Sequence, residues 1–364
     1  MNLQGVKQSG IFVYGTGNFA RDLISRFADL EISVQGVFDH HGIGTYLETD
    51  AGTFEVFDSA NLRAIANIPV ALGIHNLHGD LHSIAANLRA INSSLQIISP
   101  VQTCRFFHSL GILFSNYWLT SNFELYQEQA EEIAIFRNLL ADSISKTLFS
   151  SIIKYRSSGD LLELPHPHPL KKQYIADDLA TPPKNLRIVD LGACQGENLE
   201  FFIGAGRKFE DGFLFEPDIS NLKKLNSKVN DLGLYRLKTF QLGAWHESTT
   251  LKFDASGNPA ASFSEDGSSE IEVVSLDEFI PQEFRPNFIK MDIEGAELSA
   301  LKGMRKLIRN HSPHLAISAY HKPQDLWELG NYLESTHPGT YRFHLRMYGH
   351  QTFDTILYAV PLRS

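Results

Sequence analysis

Hydrophobic positions fall into short strand-like runs separated by helical spacings. Ile11 to Tyr14 is an uninterrupted apolar run, followed by Gly15-Thr-Gly17-Asn-Phe-Ala20. Leu23, Ile24 and Phe27 then recur at the spacing of one buried helix face. Val34 to Phe38 predicts a second strand that ends in Asp39. Val70 to Ile74 and Gln96 to Ser99 predict two more, with a helix over Leu81 to Ala90 between them. Strands alternating with helices imply parallel pairing through βαβ units.

The pattern changes after Pro100. Glu124 to Tyr155 is rich in Glu, Gln, Ala, Leu and Ile at helical spacing. Pro165-His-Pro-His-Pro169 and Thr181-Pro-Pro183 break it. From Leu186 the alternation of strand and helix resumes. Strands are predicted at Arg187 to Leu191, Gly212 to Phe215, Leu237 to Leu242, Asn287 to Met291 and Leu315 to Ala319. Thr249 to Phe253 and Glu270 to Ser275 alternate like a hairpin around a polar stretch. Tyr341 to Met347 and Asp354 to Val360 look like a terminal antiparallel pair. The reading is an α/β chain in three parts: a Rossmann-like domain over 1–103, a mainly helical connector over 104–185, and a second Rossmann-like domain over 186–364.

Composition narrows the function classes. The chain has 364 residues and a formal net charge of -10, with 42 acids against 32 bases. A duplex-binding protein carries a basic surplus to neutralise phosphates, so nucleic acid is not expected as the partner. Two distant cysteines, Cys104 and Cys194, make neither a disulfide framework nor a Cys-x-x-Cys zinc pair. Met1 to Gly10 is polar and has no apolar signal-peptide core. No apolar run reaches the roughly 18 residues that span a bilayer. A cytoplasmic location is expected, with no membrane span.

In open α/β sheets, ligands bind beyond the carboxyl ends of the strands. In the second domain the chemically useful residues sit at such ends: Asp190 to Gly196, Glu216, Trp245, Asp292 and His321. Gly192-Ala-Cys-Gln-Gly196 lets backbone approach a ligand closely. Glu216 follows Gly192 by 24 residues, near the roughly 20-residue offset at which an acid takes ribose hydroxyls. A nicotinamide dinucleotide and S-adenosylmethionine both carry ribose. The acid Asp190 ahead of the glycines repels a pyrophosphate and attracts a sulfonium and an ammonium, which favours the methyl donor.

At this point the sequence resembles the FkbM family of S-adenosylmethionine-dependent methyltransferases. The residues that carry the likeness are Val189-Asp-Leu-Gly-Ala193, Phe215-Glu-Pro217, Ser275-Leu-Asp-Glu278 and Ile289-Lys-Met-Asp-Ile-Glu-Gly-Ala-Glu297. Tyr320-His-Lys-Pro323, Asp325-Leu-Trp327, Leu345-Arg346 and Asp354-Thr-Ile-Leu-Tyr358 extend it to the end of the chain. The first two parts resemble the N-terminal extension of larger FkbM-like proteins, through Gly15 to Phe19 and Tyr117 to Thr120. Tyr174-Ile-Ala-Asp177 departs from the Tyr-Phe-Pro expected there. The resemblance implies a class I methyltransferase sheet and O-methylation of a saccharide or related metabolite, with a small-molecule or glycan acceptor.

Roles follow from the chemistry of the transfer, in which a hydroxyl is held in line with the methyl group and gives up its proton. Asp190 and the backbone from Gly192 through Ala193 to Gly196 are expected at the methionine end, with Asn198 beside them. Glu216 is expected at the ribose, and the resemblance puts Ala244 and Trp245 at the adenine. His321 is the favoured general base, since imidazole titrates near neutrality. Asp292 and Glu294 are expected on the acceptor side. With Glu297 they orient His321, bind sugar hydroxyls or hold a divalent cation; no metal ligand set is assigned. Lys322, Arg346 and His350 are further acceptor-pocket candidates. The first domain leaves alternatives open. Gly15 to Ala20 and Asp39 offer a nucleotide site, which would serve a nucleotide-sugar-binding module or an NAD(P)-dependent oxidoreductase; the third reading is a scaffold that has kept the fold.

Overall fold

The computed structural model describes residues 3–65, 67–114, 123–179, 182–253 and 269–362. The Tyr117-to-Thr120 segment, and most of the polar stretch after Phe253, lie outside them. The described chain is α/β throughout and divides into two compact units. One comprises residues 1–128, 150–166 and 349–353, the other residues 129–149, 167–348 and 354–364. The residues read as a connector are thus shared between the units.

The first unit holds six strands: β1 (Ile11–Tyr14), β2 (Val34–Asp39), β3 (Tyr46–Thr49), β4 (Gly52–Asp58), β5 (Val70–Leu72) and β6 (Ile97–Ile98), in the order β3-β4-β2-β1-β5-β6. All pairings are parallel except the β3–β4 hairpin. Every residue of β1 and β5 is buried, as expected of strands covered on both faces. Helix Asn18–Asp29 lays Phe19, Leu23, Ile24 and Phe27 against the sheet. The β3–β4 hairpin escaped the sequence reading because its partly exposed strands carry polar residues and no clean apolar run.

The second unit is built on seven strands: β7 (Asn185–Leu191), β8 (Lys208–Phe215), β9 (Leu237–Phe240), β13 (Phe288–Met291), β14 (His314–Ser318), β15 (Tyr341–Met347) and β16 (Thr355–Pro361). Their order is β15-β16-β14-β13-β7-β8-β9. The five from β9 to β14 are parallel, and β16 and β15 close the edge as the antiparallel pair read from the sequence. A small sheet of β10 (Gly243–Ala244), β11 (Thr249–Phe253) and β12 (Ser269–Val274) has the order β10-β12-β11. Strand order reverses at β7, whose neighbours are β8 and β13, so the crevice beyond β7 is the switch point where ligands bind in such sheets.

Helices pack closely on this unit. Gly330, in helix Asp325–Thr336, lets helix Ala130–Leu139 approach: a Cβ there would lie 2.0 Å from the Phe136 ring. Trp327 donates Nε1–H to Gln129 Oε1 at 2.8 Å on the same contact.

Candidate active site

The loop after β7 is shaped by two glycines in left-handed backbone. Gly192 has φ +75°, and a Cβ there would stand 1.9 Å from the Asp292 carbonyl oxygen. Gly192 and Ala193 both donate their N–H groups to the Phe215 carbonyl at 3.0 Å, which ties the loop to the end of β8. Gly196, at φ +81°, starts helix Glu197–Gly204 without a side-chain cap. Glu216 lies at the end of β8 and is 6% exposed. Its Oε2 accepts from Cys194 N at 2.9 Å and its Oε1 from Asp218 N at 2.9 Å. Burial pushes this carboxyl up, with the two backbone donors pulling the other way. Each oxygen keeps lone-pair capacity for a further donor.

Beneath this loop lies an ion pair that the sequence reading missed. Lys290, in the middle of β13, is 1% exposed. Its Nζ donates to Asp190 Oδ1 at 2.9 Å and to the Gly192 carbonyl at 2.8 Å. Burial pulls the ammonium down, but Asp190 and Asp292 outweigh it and the net direction is upward. Burial, joined by the charges of Asp292 and Glu197, pushes Asp190 up against the pull of Lys290. The two tendencies oppose each other, and the short contacts support a charged pair. Asp190 is therefore engaged by the chain's own lysine.

Asn198 is half-buried on the helix that follows. Ala244 is buried at the end of β10, and Trp245 packs against Ile271 and Val273 of the small sheet.

The acceptor-side candidates converge. Asp292 follows β13, and its Oδ2 accepts from Tyr174 O–H at 3.1 Å. Tyr174 is itself buried, with φ +65°. His321 follows β14 by three residues. Its Nδ1 is 3.0 Å from Glu297 Oε1, and its Nε2 is 3.5 Å from Asp292 Oδ1 and 3.4 Å from Glu294 Oε2. Burial pulls the imidazole down, and Glu297 and Glu294 reverse this to hold it well above the usual histidine range. Glu294 is pushed up by burial. Burial and Glu297 push Asp325 up to about 7, and burial and Asp292 push Asp354 up to about 6. Glu297 is fully buried and also accepts from Ile293 N at 3.0 Å; the sequence reading had it only as one member of an acidic cluster.

Other candidates are engaged by partners within the chain or stand outside this unit. Arg346 is buried, and its guanidinium donates to Asp178, Asp142, Ser145 Oγ and the Leu345 carbonyl. Lys322 Nζ binds the Gly295 carbonyl. His350 belongs to the first unit. There too, Asp39 accepts from Thr16 Oγ1 and from the N–H groups of His40 and His41, so much of its capacity is taken.

Comparison with known proteins follows the same lines. The family model for the methyltransferase FkbM domain matches residues 190–351. Methyltransferase FkbM from Methylobacillus flagellatus KT superposes with a TM-score of 0.77 at 24% identity, covering 98% of this chain and 92% of that one. An rRNA methylase from Streptococcus thermophilus reaches a TM-score of 0.34 at 15% identity, over 50% of this chain and 90% of its own. Aeropyrum pernix fibrillarin, solved with natively bound S-adenosyl-L-methionine, gives 0.32 at 11% identity, over 52% and 73%. No curated protein matches the sequence. Among the described residues, no helix is long and apolar enough to cross a membrane.

Proposed function

From the premise that residues 190–351 are a methyltransferase FkbM domain, we propose that the protein is an S-adenosylmethionine-dependent O-methyltransferase acting on a saccharide or related metabolite. The observation that carries this reading is the convergence of the Gly192–Gly196 loop, Glu216 and the Asp292–Glu294–His321 cluster around the β7 switch point.

The donor set fits the cofactor. Glu216 is a buried carboxylate with lone-pair capacity directed by two backbone donors, suited to a ribose diol. Gly192, Ala193 and Gly196 keep the loop free of bulky side chains for the methionine end, and Asn198 lies on the adjoining helix. Ala244 and Trp245 stand at the next strand ends, for the adenine. When bound, the cofactor supplies an electrophilic methyl group on a sulfonium. Asp190 supports this site from below: with Lys290 it fixes the Gly192 carbonyl and so the path of the loop. Asp292, Glu294 and His321 form the acceptor end. The Asp292 and Glu294 carboxylates receive hydrogen bonds from acceptor hydroxyls and orient one in line, and the cluster takes its proton.

An activity screen with radiolabelled methyl donor against cell-extract glycans and nucleotide sugars tests the reading. A labelled methyl ether on a hydroxylated product is expected, lost in Asp292→Asn with donor binding retained. Label found solely on nitrogen or carbon, or transfer undiminished in that variant, overturns it.

A further inference from the structure

The acceptor end carries more negative charge than its proton chemistry needs. Asp292, Glu294 and Glu297 all face the one His321 ring, within 3.5 Å of its nitrogens. The nearby lysines are committed elsewhere. Lys290 binds Asp190 and the Gly192 carbonyl, and Lys322 binds the Gly295 carbonyl. The single His321 ring faces all three, and largely buried carboxylates beyond what it can answer are costly unless a further cation joins them.

Two further observations point to what that cation is. One donor atom from each of Asp292, Glu297 and His321 lies within 4.8 Å of the others, the spacing of ligands around one ion. Among the described residues, Asp292 Oδ1 and Glu297 Oε2 are buried atoms with no hydrogen-bond partner, and Glu297 is 0% exposed. Buried carboxylate oxygens without a hydrogen-bond partner, beside an imidazole, suit a metal ion.

We propose that Asp292, Glu297 and His321 hold a divalent cation of the Mn2+ or Mg2+ class at the acceptor end. Two carboxylates and one imidazole favour these harder ions over a thiolate-seeking metal. Three protein donors leave positions open for water or for the hydroxyls of an acceptor, and hydrogen bonds from the chain fix two of the three. Glu297 Oε1 is held by Ile293 N–H, and Asp292 Oδ2 by the Tyr174 hydroxyl. In this arrangement Glu294, outside the ligand set, is the group left to take the acceptor proton. Only that role rests on the methyltransferase reading; the cation site itself does not.

The metal-stripped full chain is titrated with MnCl2 and free Mn2+ is read by electron paramagnetic resonance. One Mn2+ per chain is expected. His321→Ala and Asp292→Asn should each weaken binding at least about tenfold. Calorimetry with S-adenosylmethionine on the same samples should show donor binding unchanged, which separates ligand loss from misfolding. Absence of saturable Mn2+ binding below about 1 mM in the wild-type chain overturns the site, as does wild-type affinity in both variants. A wild-type chain that binds Mn2+ but not S-adenosylmethionine keeps the cation site and removes the donor reading.

Discussion

Lys290→Met is the sharpest test of how the cofactor loop is held. The substitution keeps an unbranched side chain of similar length in β13 and removes the ammonium. Two contacts disappear, at 2.9 Å to Asp190 Oδ1 and 2.8 Å to the Gly192 carbonyl. Both partners are almost fully buried, at 2% and 1% exposed. Removing one member of a buried pair strands the other charge and costs about 3–5 kcal/mol. The same change in an exposed pair costs about 0–1 kcal/mol. Whole-protein stabilities of about 5–15 kcal/mol make that loss large. Urea denaturation followed by tryptophan fluorescence reads it, since Trp245 and Trp327 both lie in the second unit. The double variant Asp190→Asn/Lys290→Met should recover part of the loss, because no charge is then left unpaired. A loss below about 1 kcal/mol, or a double variant weaker than the sum of its parts, refutes the ion-pair account.

Three further outcomes are expected. Gly192→Ala should lower stability and abolish donor binding by calorimetry, because its Cβ would lie 1.9 Å from the Asp292 carbonyl oxygen; a variant of wild-type stability and affinity contradicts the loop geometry. Gly330→Ala should destabilise the packing of helix Asp325–Thr336 on Phe136 by about 1–3 kcal/mol, read from the denaturation midpoint. Burial, with Glu197 and Glu216, pushes the Cys194 thiol up to about 11. The thiolate that reacts is therefore scarce at pH 8, and iodoacetamide should label Cys194 roughly two orders of magnitude more slowly than a free cysteine. Labelling should accelerate as the pH approaches 11. Rapid modification at pH 8 contradicts this environment.

Much of the fold was legible because its signals are local. Apolar runs, glycine turns and an acid at a strand end each occupy a few consecutive residues, so β7, β8, β13 and β14 and their terminal groups could be read in order. What escaped depends on residues brought together from far apart. Lys290 stands in an apolar run, Phe288-Ile-Lys-Met291, and nothing near it signals that Asp190, one hundred positions earlier, is its partner. A lysine amid strand residues was the available clue. Glu297 stood in an acidic cluster with three roles open, and only the fold brings its carboxylate onto His321, 24 positions later. Tyr174 takes left-handed backbone that no propensity favours for a bulky side chain, and its hydroxyl holds Asp292. Arg346 looked like an acceptor contact because neither Asp142 nor Asp178 is near it in sequence.

The central claim is that the crevice beyond β7 binds a ribose-bearing methyl donor through Glu216. Calorimetric titration of the wild-type chain and Glu216→Ala with S-adenosylmethionine tests it most directly. One donor per wild-type chain, with affinity at least about tenfold weaker in the variant, about 1.4 kcal/mol or more, is the expected result. No binding to the wild type, or equal affinity in both, contradicts the claim.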